Sequence, residues 1–382
     1  MLYPPDGFGT KFPNLRFPEF TEKWNREKIA SILTICSGKD YKHLSKGTIP
    51  VFGTGGYMAS VDDFLYEGES VCIGRKGTIN KPLYFNGKFW TVDTLFYTHS
   101  FKNVLPKFVY NIFEQINWLK YNEASGVPSL SKSTIEQIDI NIPCVEEQQK
   151  IATFLSLIDE RIQAQNKIIE ELKLLKITIS KKLFSRQLRF KNENYIDWNT
   201  KKLGEVTTLV NKRNKNNEKL PVYSINNKLG FAPQSEQFEG VDSEDRGYDI
   251  KLYKIIDNNT FAYNPARINV GSIGYSENLE NIIISSLYVC FKTDNTVNDN
   301  FLYQYLKTDF FNREVLRNVE GGVRDYLFYD NFARIKFGLP CIEEQKKIAD
   351  YLSSIDSKID IESQLLHKFE KQKRYLLANL FI

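Results

Sequence analysis

Residues 143–162 read PCVEEQQKIATFLSLIDERI, and residues 340–359 read PCIEEQKKIADYLSSIDSKI. Thirteen of the 20 positions are identical at an offset of 197, about half of a 382-residue chain. A repeat on this scale sets the architecture before any local propensity is consulted. Pro143 and Pro340 stand just ahead of a helix start, where a missing N–H costs little. Glutamates follow in the first turn, where acidic side chains complement the helix dipole. From there apolar residues recur in steps of four and three: Ile151, Leu155, Ile158, Ile162, Ile169, Leu172, Ile179 and Leu183 in the first copy. The second copy gives Ile348, Leu352, Ile355, Ile359, Leu366, Phe369, Leu376 and Leu380. This is a heptad seam. It is interrupted at matching places, by Gln165 and Glu362 and by Lys176 and Lys373. No Pro or Gly falls within 146–184 or 343–381, so each stretch predicts a helix of about 39 residues, roughly 58 Å long at 1.5 Å per residue.

Connectivity predicts how the two helices meet. The first ends where the second globule begins, and the second starts where that globule ends. Domain termini usually lie close together, so the chain returns beside itself and the helices form an antiparallel coiled coil. One register sets Lys176 opposite Glu362 and Gln165 opposite Lys373, which makes the polar slots register devices. The competing arrangement packs each helix on its own globule.

Working outward, the repeat has a front end. LRFPEFTEKW (15–24) matches LRFKNENYIDW (188–198) with one residue inserted, followed by KIASI and KLGEV respectively. A looser match, SGVPSLSKSTIEQIDINI (125–142) beside GGVRDYLFYDNFARIKFGL (321–339), precedes the two PC motifs. The order is therefore a globule over 1–145, a helix over 146–184, a second globule over 185–342 and a second helix over 343–382. The globules barely resemble each other, so the repeated borders do one shared job and the globules two different ones. Stretches such as SVCIGRKGTINKPLYF and NIIISSLYVCFK read as strands, and FVYNIFEQINWLKY and NFLYQYLKTDFFNREVL as helices. The fold class is mixed: two α+β globules and two long helices in a pseudo-twofold repeat.

Composition bounds the function classes. The chain is 42% hydrophobic and 26% charged, as in a folded protein with sizeable cores. No run of about 18 apolar residues exists to span a membrane. The first 20 residues lack the apolar centre of a signal peptide, which points to a cytoplasmic protein. The five cysteines form no Cys-x-x-Cys pair and only three histidines occur, so a zinc site has little to work with. Net charge is +4, which permits a nucleic-acid partner without demanding one.

Catalytic motifs are incomplete. FGTGG (52–56) departs from a methyltransferase cofactor loop because position 54 is Thr, and reads as a turn near a DNA backbone. YNPAR (263–267) lacks the second proline and the aromatic that would stack on a flipped base. No Gly-x-x-x-x-Gly-Lys-Ser/Thr loop occurs. ELK (171–173) is a surface fragment of the first long helix.

The doubled pattern P-x-x-EEQ-x-KIA-x-x-L-x-x-ID on heptad helices, LRFPEF…W before the first globule and W…KKLGEV before the second resemble the specificity subunits of Type I restriction–modification systems. The phrases IPVFGTGGYM and IGRKGTIN are similar to those of such recognition domains, and the resemblance runs along the whole chain in order. It implies two target-recognition domains, each reading one half of a split and asymmetric DNA site, with the helix pair setting the distance between half-sites. It implies partners: double-stranded DNA, two modification subunits and restriction subunits. It implies that this chain itself carries no cofactor or metal and does no chemistry, S-adenosylmethionine, ATP and Mg²⁺ being held by the partners.

Candidate DNA contacts follow from residue type and position. In the first globule they are Thr54 and Gly55, the basic turn of Arg75, Lys76 and Thr78, and Lys81. In the second they are Lys212, Arg213 and Lys215, Asn226 and Asn227, Arg267, Asn269 and Ser272, and Arg324 with Tyr326 after a Gly-Gly turn. Arginine can pair bidentately with guanine, asparagine with adenine, and Lys or Thr can hold phosphate. Two other readings compete: a coiled-coil scaffold that binds only proteins, and a stand-alone DNA methyltransferase or nuclease.

Overall fold

The computed structural model describes residues 12–190, 197–227, 229–234, 249–320 and 326–382. The chain divides into two compact units, residues 1–167 with 363–382 and residues 168–362. Each unit therefore holds one globule, part of one long helix and part of the other.

The first unit opens with β1 (Asn25–Lys28), α1 (Ile29–Ile32) and β2 (Thr34–Ser37), then the hairpin of β3 (Lys46–Gly53) and β4 (Gly56–Val61). The long strands β5 (Tyr66–Gly74) and β6 (Leu83–Thr91) follow, then β7 (Leu95–His99), α2 (Pro106–Gln115), α3 (Lys132–Glu136) and β8 (Asp139–Ile142). The main sheet has the order β2-β7-β5-β6-β3-β4, and β1 pairs with β8 beside the helix start. The long helix α4 runs Val145–Phe184.

The second unit repeats the scheme with β9 (Asn199–Lys202), α5 (Leu203–Val206), β10 (Thr207–Val210), β11 (Val222–Asn226) and β12 (Gly230–Pro233). Then come β13 (Lys254–Ile256), β14 (Phe261–Tyr263), β15 (Ile273–Tyr275), β16 (Ile282–Ile284) and β17 (Val289–Thr293). The helices α6 (Asp299–Leu306), α7 (Asp309–Asn318) and α8 (Tyr329–Arg334), strand β18 (Lys336–Leu339) and the long helix α9 (Ile342–Leu380) complete it. Its sheet is split in two, β10-β17-β14-β15 and β12-β11-β16-β13. The topology is nonetheless shared: β3 runs parallel to β6 as β11 does to β16, while β7 joins β2 and β5 as β17 joins β10 and β14. The stretch 300–316, read as helical, is two helices, because the Thr308 hydroxyl accepts the Phe311 N–H at 3.2 Å and starts α7 anew.

The repeated sequence marks the joints. In the first unit Arg16 is bidentate on Glu147, both contacts at 2.8 Å, with the carboxylate 1% exposed. In the second, Arg189 grips Glu344 at 2.7 and 2.8 Å, and the Trp198 indole N–H donates to the same carboxylate at 3.1 Å. The glutamine of each EEQ is buried. Gln148 accepts from Leu105 N and donates to the Asn103 and Pro143 carbonyls. Gln345 accepts from Asn298 N and donates to the Thr296 and Pro340 carbonyls. The LRF…EEQ repeat is thus a pair of polar locks, each tying the segment before a globule and the loop before a helix to the helix start.

The seam residues are buried or half-buried on both long helices. In the first unit Ile151, Leu155 and Ile158 share a core with Leu376, Leu377, Leu380 and Phe381. In the second, Leu183 and Phe184 share one with Ile348, Ala349 and Leu352. The two helices run antiparallel in each unit, and the globule packs on the same core, so the two arrangements weighed from sequence coexist. The expected register is corrected. Lys176 bonds Asp356 at 2.6 and 2.7 Å, not Glu362, and Lys373 reaches Asp159 at 2.6 Å, six positions before Gln165. The register is therefore shifted by about one heptad. Its cause lies in the globules, whose α2 and α6 supply further partners for these polar residues: Glu114 bonds Lys373 and Gln304 donates to Asp356.

Candidate nucleic-acid interface

In each unit three loops converge at one end of the sheet, and strand pairing places them there. In the first unit the Phe52 carbonyl, at the end of β3, accepts from Val92 N at 3.0 Å, and the Thr94 carbonyl accepts from Arg75 N at 2.8 Å. The β3–β4 turn, the loop after β5 and the turn before β7 are thereby neighbours. Gly77 has φ +95° and lies against the first turn, since a Cβ there would sit 3.5 Å from the Thr54 hydroxyl oxygen. Glycine both permits the positive φ and the close approach. The sequence motifs FGTGG and GRKGT, 22 residues apart in the chain, form one surface.

The basic loop is held from behind. Gly77 N donates to the Pro128 carbonyl and Leu130 N to the Arg75 carbonyl, at 2.8 and 2.9 Å. Segment 123–132 is in turn tied to Glu123, whose carboxylate accepts from Ser131 N and Oγ and from the Thr134 hydroxyl. Those hydrogen bonds, Thr134 first, hold the Glu123 carboxyl below its ordinary value. Between this segment and the loop lies a cleft of about 780 Å³, lined among others by Arg75, Lys76, Asp93, Glu123, Ser131 and Lys132. Arg75, Lys76 and Lys81 are exposed, Thr54 and Thr78 half-buried, and Gly55 exposed. Among the described residues none of the three cations pairs with a carboxylate; Arg75 makes one long contact, 3.5 Å to the Asp93 carbonyl. Free cations on a rigid backbone are what phosphate or guanine recognition requires.

In the second unit the corresponding loops are the β11–β12 turn, residues 264–272 after β14 and the turn at 285–288 before β17. Gly271 has φ +84°, and a Cβ there would meet the Asn227 Cβ at 3.9 Å, so the first two loops touch. The third lies at the same end, because β16 runs parallel to β11 and Tyr263 is opposite Val289. Asn227, Arg267 and Asn269 are exposed. Asn226 is half-buried and its side-chain Oδ1 caps the turn by accepting from Leu229 N at 2.7 Å. Ser272 is corrected from contact to support: it is 2% exposed and its hydroxyl donates to the Ile225 carbonyl at 2.9 Å, fastening the hairpin. The basic run after β10 is less available than its composition promised, since Lys212 pairs with Asp257 at 3.0 Å. Asn214 is buried as the anchor of a turn to Glu218, and Arg213 and Lys215 remain exposed. Tyr326 is half-buried and stacks on Phe328 at 5.7 Å. Arg324 lies outside the described residues.

Asn264 of YNPAR accepts from Ala266 N through its side chain at 3.0 Å, which makes the motif a turn. Among the described residues no group of three or more His, Cys, Asp and Glu side chains could hold a metal ion, and no helix is long and apolar enough to cross a membrane. Sequence reasoning missed the turns before β7 and β17, which bring Asp93 and Leu287 to the surface. The only signal was a short polar break, VDT and SSL, between apolar runs.

A family model described as the Type I restriction modification DNA specificity domain matches the chain twice, over residues 21–174 and 195–371. The chain is similar to the Type I restriction enzyme MjaVIII specificity subunit of Methanocaldococcus jannaschii, 26% identical over 80% of this chain and 74% of that one. Among solved structures it resembles in fold the Type I restriction–modification S subunit of M. genitalium, with a TM-score of 0.63, 16% identity, and 97% and 99% of the two chains covered. A chain solved in work on complex assembly and conformational transition of the type I R-M system aligns with a TM-score of 0.54 at 13% identity, covering 94% and 97%.

Proposed function

The chain belongs to the Type I restriction–modification DNA specificity family, and from that premise we propose that it is the DNA-reading, non-catalytic chain of a Type I restriction–modification complex. It recognises a bipartite, asymmetric site and directs methylation and cleavage by partner subunits. The observation that carries the reading is one frame built twice, with the same strand pairing and the same polar locks, presenting two different sets of loop-end side chains. A repeated frame gives two equivalent docking geometries, and unlike loops give unlike half-sites. Arg75, Lys76, Thr78, Lys81, Thr54 and Gly55 form the first reading surface. Asn227, Arg267 and Asn269 form the centre of the second, with Arg213, Lys215 and Tyr326 flanking.

On this reading the modification subunits hold S-adenosylmethionine, and the restriction subunits hold ATP and Mg²⁺. The cation-bearing loops favour DNA readout over a purely protein-binding scaffold, because a scaffold has no use for an ordered loop that keeps three cations unpaired. The test is to map methylated bases in cells that carry the modification partner with and without this chain. A split, asymmetric methylated motif that disappears with the chain supports the proposal. An active modification partner that gives no such motif overturns it.

A further inference from the structure

The loop ends of the second unit carry aliphatic side chains at their tips, whereas the first unit exposes Tyr57 and Met58 just past its β3–β4 turn. Leu287 is 79% exposed and Leu229 is 69% exposed, the two most exposed large hydrophobic side chains among the described residues. Both belong to the converging loops, and Val270, 57% exposed, is on the third. Leu229 sits in the β11–β12 turn beside Asn227, Val270 between Asn269 and Gly271, and Leu287 in the turn before β17. Strand pairing makes Leu287 the counterpart of Asp93, since β17 begins at Val289 as β7 begins at Leu95. Where the first unit has an acid among free lysines and an arginine, the second has leucine beside two asparagines and Arg267.

Apolar side chains left in water at three converging loop tips, two of them within two residues of an asparagine, suit one kind of DNA surface. In the major groove thymine presents a 5-methyl group, and its partner adenine presents the N6–H and N7 pair that an asparagine amide can grip. A cytosine or guanine edge offers no methyl. Resting on the DNA-reading function proposed above, we infer that Leu229, Val270 and Leu287 cover thymine methyl groups in the half-site read by the second unit while Asn227 and Asn269 face adenine. The loop tips of the first unit carry Arg75 and Lys76 in place of those aliphatic side chains.

Removing a thymine methyl leaves every Watson–Crick group in place, so the inference can be tested on the DNA alone. The site is first identified by methylation mapping. Binding of the complex of this chain with its modification partner is then measured on duplexes carrying deoxyuridine for thymidine, one position at a time, in each half-site. A buried methyl-sized group contributes about 0.8 kcal/mol, a factor of about 4, so uracil should weaken binding about 3- to 5-fold at one or more thymines of one half-site. Leu287→Ala and Leu229→Ala should abolish that penalty at the same thymines, because the effects of contacting groups are not additive. Leu287→Met, which keeps the apolar cover, should retain it. If no duplex is bound site-specifically, the function itself fails. If binding is specific but the uracil penalty is absent, or equal in wild type and both alanine variants, the function stands and this inference falls. Loss of the modification partner from the Leu287→Ala complex, with an unaltered uracil response, would assign the apolar tips to a protein contact and also overturn it.

Discussion

The polar knots under the two halves of the helix pair are built on the same plan with a different balance of charge. In the first unit Lys373 faces two carboxylates, Asp159 and Glu114, and lies 5.6 Å from the Tyr110 ring. In the second, Lys176 faces one carboxylate, Asp356, and the position matching Glu114 is Lys307, its ammonium 3.8 Å from the centre of the Tyr303 ring. The correspondence follows from the helices FVYNIFEQ (108–115) and FLYQYLKT (301–308). One knot holds two acids and one base; in the other, two bases lie near Asp356, with Asp360 also acting on both. Apolar positions in the repeat are interchangeable between units; charged ones need only a local partner, which each globule supplies for itself. Identity between the units is therefore concentrated where a side chain touches the helix start, and it lapses where it touches the globule.

The locks at the two helix starts sharpen that comparison most, because both pair a buried arginine bidentately with a buried glutamate and the second adds an indole contact. Removing one member of a buried ion pair leaves an uncompensated charge, at about 3–5 kcal/mol. Glu344→Ala should reach that range, since Arg189 loses its bidentate partner and the Trp198 N–H its acceptor. Glu147→Ala should cost less, because Trp24 N–H has no acceptor among the described residues to lose. Equal losses, read from denaturant midpoints of the purified chain with its partner, would show that the indole contact is silent. Next in size are Gln148→Ala and Gln345→Ala. Each unpairs one buried N–H and two carbonyls and should cost about 1–3 kcal/mol, with equal values in the two units.

How much of this was legible in the sequence varies from residue to residue. The helices, their seam and their antiparallel course follow from Ile151, Leu155, Ile348 and Leu352, because burial on a helix imposes a period that survives translation into text. The front-end arginine and the EEQ glutamates were visible as a repeat, but not as each other's partners, since 131 residues separate Arg16 from Glu147. The register was misread because Lys176 and Lys373 were matched to the other helix alone, whereas Gln304 and Glu114 also engage the knots. Thr54 and Arg75 stand out in the sequence from glycine-flanked turns, and the structure brings those two turns together. Lys212 looked like an equal candidate, and nothing local says that Asp257 will neutralise it. Ser272 looked like a loop hydroxyl, and only the closure of 264–272 onto β11 turns it inward.

The free and the paired cation make the next contrast. Arg75→Ala should weaken DNA binding by about 1–3 kcal/mol if the guanidinium grips a base edge. Lys212→Ala, already balanced by Asp257, should change affinity by less than about 0.5 kcal/mol. Titrations at several salt concentrations separate base from phosphate contact for Arg75: loss of one phosphate contact lowers the salt slope by about 1, and loss of a base contact leaves it. A larger effect at Lys212 than at Arg75 would move the first reading surface's counterpart to the strand β10 edge.

The smallest expected effect is the pH response of the two knots, and it should have opposite sense. Burial raises the Glu114 carboxyl above its ordinary 4.5, against the opposing pull of Lys373. The folded first unit therefore holds this proton more tightly than the unfolded chain does. Its contribution is complete below the ordinary glutamate range and is lost as pH rises through the raised value. In the second unit burial lowers both Lys176 and Lys307 below 10.5. There the unfolded chain binds protons more tightly, so the contribution is present above the ordinary lysine range and is lost as pH falls through the lowered values. Hydrogen-exchange protection read separately for residues near Glu114 and near Lys307 should fall with pH in the mildly acidic window for the first and rise in the alkaline window for the second. Glu114→Gln should flatten the first profile and leave the second unchanged. An identical slope in both regions would mean that the two knots do not titrate independently, and the different balance of charge between them would then have no energetic consequence.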